Sequence, residues 1–210
     1  MSPAPDLTDA LTAALRGLAQ HLLLTSTNPW ELDEAMLSAG FTTGVCEAWD
    51  NEGLEPELTR VARNAVTPVQ QSHPVLVRMV GEGRLGRSIG VGWYRYPGGG
   101  GLVIDPLVED LLREEARFAG VTRLDRPSGA LGSYLIAGLT NAAARIVTQK
   151  RCRITDIDDA CRSAGIPRLF ALADETGAVA LCAQISEQTG QVPAPLIAAA
   201  AAGKGRFRTD

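Results

Sequence analysis

Few side chains of this sequence are of a type that could carry catalysis, and their neighbours offer little support for it. The chain has only two histidines. His73 precedes a proline at a predicted helix start and has no serine or cysteine nucleophile close in sequence, so we interpret it as a helix cap rather than as a general base. His21 lies beside a stripe of leucines and is interpreted as a residue at the edge of the core. Cys46, next to Glu47, is expected to be a small buried side chain.

Two other patterns have the form of chemical sites but a simpler explanation. Asp33 and Asp158 are each followed by a second acid, yet both are placed in the first turn of a predicted helix, where the helix dipole favours an acid. Gly81, Gly83 and Gly86 match the G-x-G-x-x-G spacing of a nucleotide phosphate loop. That loop needs a strand before it and a helix after it. Here a predicted helix precedes it, so we reject it as a nucleotide site.

Composition limits the classes of protein that fit. The chain has 210 residues, 45% hydrophobic and 21% charged, with a net charge of −4, as in an ordinary globular protein. The mild acidity and the lack of a basic stripe argue against nucleic-acid binding. The four cysteines form no C-x-x-C pair, so we expect no metal site, and reduced thiols suit a cytoplasmic location. We also expect no signal peptide and no membrane span, because no apolar run approaches about 18 residues.

Helical periodicity accounts for most of the chain. Asn28 is placed to cap the second helix, Pro29 to begin it and Gly40 to stop it. In the helix that Asp105 opens, we expect three leucines to face inward, namely Leu107, Leu111 and Leu112. The predicted helices include Asp6–Leu24, Pro29–Ala39, Thr43–Asp50, Glu55–Val66, Pro74–Glu82, Arg168–Ala173, Val179–Thr189 and Pro195–Ala202.

The segment from His73 to Pro97 carries the most ordered pattern in the sequence. After its helix, Gly86, Gly90 and Gly92 alternate with arginines and a serine, and three aromatic residues follow. Glycine at this density predicts tight turns with a positive φ angle at one or more of the three positions. Alanine at such a position should lower stability by about 1 kcal/mol or more. Four glycines in succession, at 98–101, then mark a loop.

This segment resembles the R-L-G-R-K-T-G-x-G-F-Y-x-Y segment of L-3-hydroxyacyl-CoA dehydrogenases, which closes the first helical repeat of their C-terminal domain. The resemblance is greatest to the double-repeat form of bacterial multifunctional fatty-acid oxidation enzymes. Ser88 and Ile89 stand in place of the family's Lys-Thr. In the family the segment shapes the fold and carries no catalytic group, which implies a mainly structural role here. The matching positions are Arg84, Leu85, Gly86, Arg87, Gly90, Gly92, Trp93, Tyr94 and Tyr96.

The second half of the chain repeats the first. The stretch from Leu32 to Phe41 aligns with the stretch from Ile157 to Ile166, 125 residues later, with five of ten residues identical. Long helices precede both stretches, which favours duplication over chance. With the resemblance, this predicts an all-α fold of two tandem C-terminal-domain repeats, residues 1–104 and 105–210. The two matching helix pairs should superpose through an approximate two-fold axis.

The resemblance implies a place in 3-hydroxyacyl-CoA metabolism, in fatty-acid β-oxidation. In the family, an N-terminal Rossmann domain carries the phosphate loop, the catalytic histidine and its glutamate partner, and we find no such domain in this sequence. The family's C-terminal domain opens with G-F-x-x-N-R, whose asparagine sits near the substrate. Pro5, Asp6 and Asp9 stand at the glycine, phenylalanine and asparagine positions. We therefore expect no catalytic or cofactor-binding residue in this chain, and NAD only with a partner domain.

Three interpretations stay open at this point. The chain is the helical half of a split dehydrogenase completed by a separate Rossmann-domain chain, a non-catalytic acyl-CoA-binding or protein-interaction module, or a fragment of a longer enzyme. The unmatched asparagine favours the second over the first. We expect a homodimer, since the family pairs through this domain. Moreover Leu22, Leu23 and Leu24 make the apolar surface of the first helix wider than one stripe.

Overall fold

The chain folds as a series of short and long helices. A computed structural model describes residues 7–64, 73–203 and 205–207. Within these residues, β structure is limited to isolated bridges, which involve Val91 and Val103. The predicted all-α class is confirmed. The helices are α1 Leu7–Thr25, α2 Pro29–Ser38, α3 Val45–Glu52, α4 Leu54–Asn64, α5 Pro74–Gly81, α6 Pro106–Phe118, α7 Ser128–Lys150, α8 Ile154–Ser163, α9 Leu169–Thr176, α10 Ala178–Gln184 and α11 Pro195–Gly203.

Local signals set several helix ends as predicted. Asn28 caps α2 by accepting a hydrogen bond from the backbone N–H of Glu31 at 3.0 Å, and Pro29 is the first helical residue. Gly40 follows α2 with φ of 91°, a conformation that stops a helix and favours glycine. The side chain of Asp105 caps α6 in the same way as Asn28 caps α2.

Two local predictions were wrong. His73 occupies the position before α5, but its side chain makes no capping hydrogen bond, and only its carbonyl serves the helix by accepting from Val77. In α6, Leu112 is fully buried as predicted, but Leu111 is only half-buried and Leu107 is 62% exposed. Because residues on one face of a helix recur every three to four positions, an inward face that begins one residue later than predicted leaves Leu107 outside it. The buried stripe of α6 is Val108, Leu112 and Ala116.

Residue contacts divide the chain into two compact units. One comprises Met1–Leu18, Ser38–Thr42 and Gly129–Asp210, and the other Ala19–Leu37 and Thr43–Ser128. The second unit contains α3 to α6 and the glycine-rich segment. In the first unit, α7 buries Leu131, Leu135 and Leu139 at four-residue spacing. The boundary predicted at residue 104 concerns the sequence repeats and stays a prediction.

α7 is the one candidate membrane span by length and composition in the described part of the chain, contrary to the expectation that no segment would qualify. Its best 18-residue window has a mean hydropathy of 1.2, and 61% of that window is buried inside the chain. A π-helical turn, Ile185–Thr189, extends α10. α9 and this extended α10 meet at a bend of 104°, and they pass the same test only when they are counted as one span. Close packing explains the small residues of α7, since a Cβ on Gly138 would lie 2.8 Å from the Leu18 side chain.

The two repeats have matching helix boundaries. α2 and α8 are each ten residues long, and α3 and α9 are each eight. Gly53 after α3 has φ 91° and ψ 143°, and Gly177 after α9 has φ 84° and ψ 138°. α5 and α11 both begin with a proline. The prediction of two tandem helical repeats is confirmed.

The two equivalent turns of the first unit contact each other reciprocally. The backbone N–H of Thr42 donates to the carbonyl of Gly165 at 3.0 Å, and a Cβ on Gly165 would overlap the Thr42 hydroxyl. In the opposite sense, a Cβ on Gly40 would lie 3.6 Å from the ring of Pro167. Gly40 and Thr42 are the sequence equivalents of Gly165 and Pro167. Reciprocal contact of this kind is what a local two-fold axis between the turns would produce.

A single aromatic residue closes the second repeat. Phe207 donates its backbone N–H to Asp174 of α9 at 2.7 Å, and its ring packs against Phe170 at 5.6 Å between centroids. Because Phe207 is 8% exposed, we expect Phe207→Ala to lower the free energy of unfolding by about 3 kcal/mol. Urea unfolding followed by circular dichroism measures this. Phe118→Ala is the control, since Phe118 is 65% exposed; equal small effects of both changes would contradict the closing role.

Candidate functional site

The glycine-rich segment after α5 is anchored on a buried carboxylate of α3. Asp50, 1% exposed, accepts hydrogen bonds from the backbone N–H groups of Trp93 at 2.8 Å and Tyr94 at 2.9 Å. The hydroxyl of Tyr96 donates to the same carboxylate at 3.0 Å. The Asp50 side chain therefore holds both the backbone of the aromatic run and the side chain of its last residue, Tyr96.

A second buried carboxylate joins this segment to the start of α3. Asp33 accepts from the N–H groups of Cys46 at 2.9 Å and Glu47 at 3.0 Å, which lack partners inside their own helix. The Tyr94 hydroxyl donates to it at 2.9 Å. Gly44 permits the approach, because a Cβ there would overlap the carboxylate. Our explanation of Asp33 by the dipole of its own helix was wrong, since it lies in the second turn of α2 and caps α3.

Arg84 ties the segment to the start of α6. Its Nε donates to the carbonyl of Gly92 at 2.9 Å, and its guanidinium pairs with Asp105 at 2.7 Å. The two charged side chains are 10% and 4% exposed. Asp105 also accepts from the backbone N–H of Leu107 at 3.3 Å. Removal of either partner would leave a buried charge without compensation. Because Asp105 also caps α6, the ion pair holds the start of that helix against the segment.

Arg87 and Leu85 hold the outer edge of the same segment. The Arg87 guanidinium lies 5.1 Å from the ring centroid of Tyr96 and donates to the side chain of Asn51 at 3.3 Å. The carbonyl of Leu85 accepts from the backbone N–H of Leu54 at 3.0 Å, which connects the segment to the start of α4. These contacts connect the segment to α3 and α4, and their polar groups are bonded to the chain itself.

The glycines are required for backbone conformation and for close approach. Gly86 has φ of 119° and Gly90 has φ of 83°, which confirms the predicted positive φ angle. Gly92 has no room for a side chain, because a Cβ there would overlap the carboxylate of Asp50. The next residue, Trp93, stacks on Trp49 at 5.6 Å between ring centroids.

Burial dominates the ionisation of this cluster. It raises the pKa of Asp33 to about 6 and that of Asp50 to about 6, against hydrogen bonds that lower both. Burial, and secondly the charge of a neighbouring aspartate, raises the pKa of Tyr94 and that of Tyr96. Burial also raises the pKa of the Cys46 thiol well above its usual value. The predicted role of Cys46 as a small buried side chain is confirmed, since it is 0% exposed.

This geometry suits a fixed scaffold better than a reaction centre. Both aspartates direct their oxygens at donors of the chain itself, and the one thiol beside them is buried and protonated. A nucleophile or general base must reach a substrate atom, directly or through one water. In the described part of the chain, no group of three His, Cys, Asp or Glu side chains is placed to hold a metal ion.

Comparison with known proteins gives one family. Residues 7–96 match the model of the 3-hydroxyacyl-CoA dehydrogenase C-terminal domain. The match shows a likeness of this part of the chain to that domain. The match covers α1 to α5 and ends at Tyr96, the last aromatic residue of the segment that Asp50 and Asp33 anchor. No curated protein sequence matches the chain significantly.

Two solved structures are similar in fold to this chain. The 3-hydroxybutyryl-CoA dehydrogenase from Escherichia coli K12 is 17% identical, with a TM-score of 0.63 over 94% of this chain and 58% of that one. The dehydrogenase part of multifunctional enzyme 1 from C. elegans is 18% identical, with a TM-score of 0.62 over 75% of this chain and 35% of that one. The chain thus spans only part of the length of both relatives. At this identity the likeness shows the fold alone.

The remaining predicted positions lie apart from the anchored segment. Asp9 is exposed in the first turn of α1, while Pro5 and Asp6 lie outside the described residues. His21 has a lowered pKa, first because of partial burial and second because of the positive charge of Arg126. Asp158 is 4% exposed and lies in the second turn of α8, with the Arg168 guanidinium at 3.5 Å, so the first-turn explanation was wrong here as well.

Sequence reasoning missed the residues that hold the segment in place. Asp50 was not singled out and Asp105 was named only as the start of a helix. Asp50 nevertheless accepts hydrogen bonds from three residues of the family pattern, and Asp105 pairs with a fourth, Arg84. The helix bounds pair Asp50 with Asp174, because α3 and α9 are offset by 124 residues, whereas the 125-residue offset of the sequence repeat aligns Asp50 with Glu175. Both aspartates accept a backbone N–H from the aromatic residue that closes their repeat. An acid repeated at equivalent helix ends is therefore a sign of this closing contact.

Proposed function

We propose that this chain is the helical half of a 3-hydroxyacyl-CoA dehydrogenase of fatty-acid β-oxidation in the cytoplasm. The NAD-binding half, with the catalytic histidine and glutamate, would lie on a separate chain or elsewhere in a longer protein. The family match of residues 7–96 supports the substrate class. The observation that supports placing catalysis outside this chain is the buried network of Asp33 and Asp50. In it, polar groups of the family pattern form hydrogen bonds that stabilise the fold.

The backbone of the one phosphate-loop-like stretch supports this division. A phosphate loop presents free N–H groups at the start of a helix. Here the N–H of Gly83 donates to the carbonyl of Val80 at 3.0 Å, and the N–H of Gly86 donates to the carbonyl of Val91 at 2.8 Å. The stretch follows α5 and continues into a 3₁₀ turn, Arg87–Ile89. Its donors are engaged, so NAD would need another source of phosphate contacts.

We expect the isolated chain to transfer no hydride between NADH and acetoacetyl-CoA. The purified chain is assayed by the loss of NADH absorbance, with the E. coli 3-hydroxybutyryl-CoA dehydrogenase as the positive control. The expected rate is indistinguishable from that of buffer, because positioning and acid–base catalysis together supply many powers of ten. Turnover that co-purifies with the chain and scales with its concentration would overturn the proposal.

A second candidate, a non-catalytic acyl-CoA-binding module, has one observation in its favour. Asp9 stands where the family has the asparagine near the substrate, and it is exposed in the first turn of α1. Calorimetric titration with acetoacetyl-CoA, free CoA and NAD, each alone, separates the two candidates. Acyl-CoA binding that exceeds CoA binding and needs no NAD would support the module. If the chain binds none of the three ligands, the result would fit the helical half of a dehydrogenase that needs its NAD-binding half.

A further inference from the structure

Three consecutive apolar residues after the glycine loop are open to solvent. Leu102, Val103 and Ile104 are 43%, 46% and 46% exposed, and they lie in the unit that contains α3 to α6. By contrast, Leu22 and Leu23, which made the apolar surface of α1 wide in the sequence, are both 0% exposed. A run of apolar and β-branched residues is typical of a strand.

Val103 is the last member of a series of antiparallel bridges. Gly86 pairs with Val91, Val91 with Arg95, and Arg95 with Val103. The N–H of Arg95 donates to the carbonyl of Val103 at 2.9 Å, and the N–H of Val103 donates to the carbonyl of Arg95 at 2.8 Å. Among the described residues Val103 has no bridge on its other side. Residues 102–104 are therefore the outer edge of this small antiparallel arrangement.

The backbone of this edge has free hydrogen-bonding groups. In an antiparallel pair, successive residues direct their N–H and C=O groups to opposite sides. Those of Val103 face Arg95, so those of Leu102 and Ile104 face outward. In the part of the chain that the structure describes, these outward groups bond to no other residue. A row of unpaired donors and acceptors is a template for an added strand.

The edge also lacks the features that keep strands from pairing. Exposed edges are commonly protected by charged side chains or by a proline. From Gly98 to Ile104 the sequence has neither, and the charge of the next residue, Asp105, is buried in its ion pair with Arg84. An extended peptide suits this edge better than a helix does, because an extended backbone matches the spacing of its donors and acceptors.

One charge beside the edge indicates the sequence of that peptide. The side chain of Arg95 is exposed and makes no hydrogen bond or ion pair with any described residue. Because Arg95 and Val103 are directly paired, their side chains lie on the same face. A peptide residue opposite Val103 would lie on that face too, about 10 Å from the Arg95 backbone, or two strand spacings. An acidic side chain there is within reach of the long Arg95 side chain.

We propose that residues 102–104 are a docking site for an extended peptide of a partner protein that carries an acidic residue between two apolar ones. The peptide adds an antiparallel strand, with hydrogen bonds to Leu102 and Ile104 and an ion pair between its acid and Arg95. A second copy of this edge offers no acid to Arg95, since its own Val103 would lie at the matching position. The proposal needs neither nucleotide nor acyl-CoA, so it is independent of the proposed function.

NMR titration of the isotope-labelled chain with the capped peptide Thr-Val-Glu-Val-Thr tests the site. The amide signals of Leu102 and Ile104 should shift and exchange more slowly with solvent, because their N–H groups gain acceptors. So small a contact should have a dissociation constant on the order of 100 µM. The same peptide with N-methyl groups on both valines should bind about tenfold more weakly, since it keeps its side chains but loses the donors that face the edge.

Charge reversal tests the role of Arg95. Arg95→Glu should weaken binding of the glutamate peptide about tenfold and favour Thr-Val-Lys-Val-Thr instead. Its unfolding by urea should be unchanged, because the bridge to Val103 uses only the backbone of Arg95. Arg162→Glu, on α8 at 72% exposure, is the matched control and should bind the glutamate peptide as the unmodified chain does.

Three results would overturn the proposal. The first is the absence of shifts at Leu102 and Ile104 with peptide at millimolar concentration. The second is equal binding of the N-methylated peptide, which would show that only apolar contact is involved. The third is a shift of these two signals with the concentration of the chain alone, because a second copy would then cover the edge.

Discussion

Replacing Asp50 by alanine is expected to lower the free energy of unfolding by about 4 kcal/mol. The change removes the acceptor of three hydrogen bonds, from the backbone N–H groups of Trp93 and Tyr94 and the hydroxyl of Tyr96. A buried donor left without a partner costs about 1 to 3 kcal/mol. The stacked pair of Trp93 and Trp49 depends on the same anchor, so we expect the loss to spread beyond the hydrogen bonds.

Urea unfolding monitored by tryptophan fluorescence measures the effect. Asp50→Asn should be milder than the alanine variant, because the amide oxygen can still accept from Tyr94 and Tyr96. Its NH2 group would then face the N–H of Trp93, which donates to the other carboxylate oxygen. The control is Asp125→Asn, on an exposed aspartate outside the network. An alanine variant as stable as this control would show that the anchoring interpretation is mistaken.

The pH dependence of stability gives a second measurement on the same variants. The pKa of Asp50 is raised to about 6 in the folded chain, mainly by burial, and that of Asp33 likewise. Between the ordinary aspartate pKa and about 6, the folded state binds protons that the unfolded state has released. The stabilisation that this proton binding gives is therefore complete below the ordinary aspartate pKa and is lost as pH rises through about 6. When either carboxyl is protonated, its proton can be donated only to the hydroxyl oxygen of its tyrosine partner, because its other partners are backbone N–H groups. Asp50→Asn should flatten this decline, and a variant with the full wild-type slope would contradict the assignment.

Gly86→Ala is expected to be the most damaging of the glycine changes, with a loss of about 3 kcal/mol or more. Gly86 has φ of 119°, a conformation that side chains rarely adopt. In addition, the new Cβ would lie 2.6 Å from the backbone carbonyl oxygen of Asp50, which cannot move without disturbing α3. Strain and overlap therefore add at this position.

The control for Gly86 is a second glycine in the same segment. Gly83 has φ of 73° with no heavy atom within 4 Å of its would-be Cβ, so Gly83→Ala carries strain without overlap. It should lower stability by about 1 kcal/mol. Thermal and urea unfolding of both variants gives the difference between them. Equal losses would mean that backbone strain alone accounts for the glycines.

The sequence alone determined which segments form helices and that they form two repeats. These features depend on local rules: apolar spacing, proline at helix starts and glycine after helix ends, as at Pro29 and Gly40. A duplicated unit keeps such signals, which is why α2 and α8 have the same length. The positive φ angles of the glycine-rich segment also followed from local order, because glycine alone adopts them without strain.

Only the tertiary structure decided which side chains anchor that order and which face stays open. Asp50 and Tyr96 are 46 residues apart in the chain, and Arg84 and Asp105 are 21 apart. No periodicity links partners at such separations, since their approach depends on how α3, α5 and α6 pack. The inward face of α6 was misassigned for the same reason, because Val108 and Leu107 are both apolar. Packing against the rest of the unit buries one and leaves the other 62% exposed.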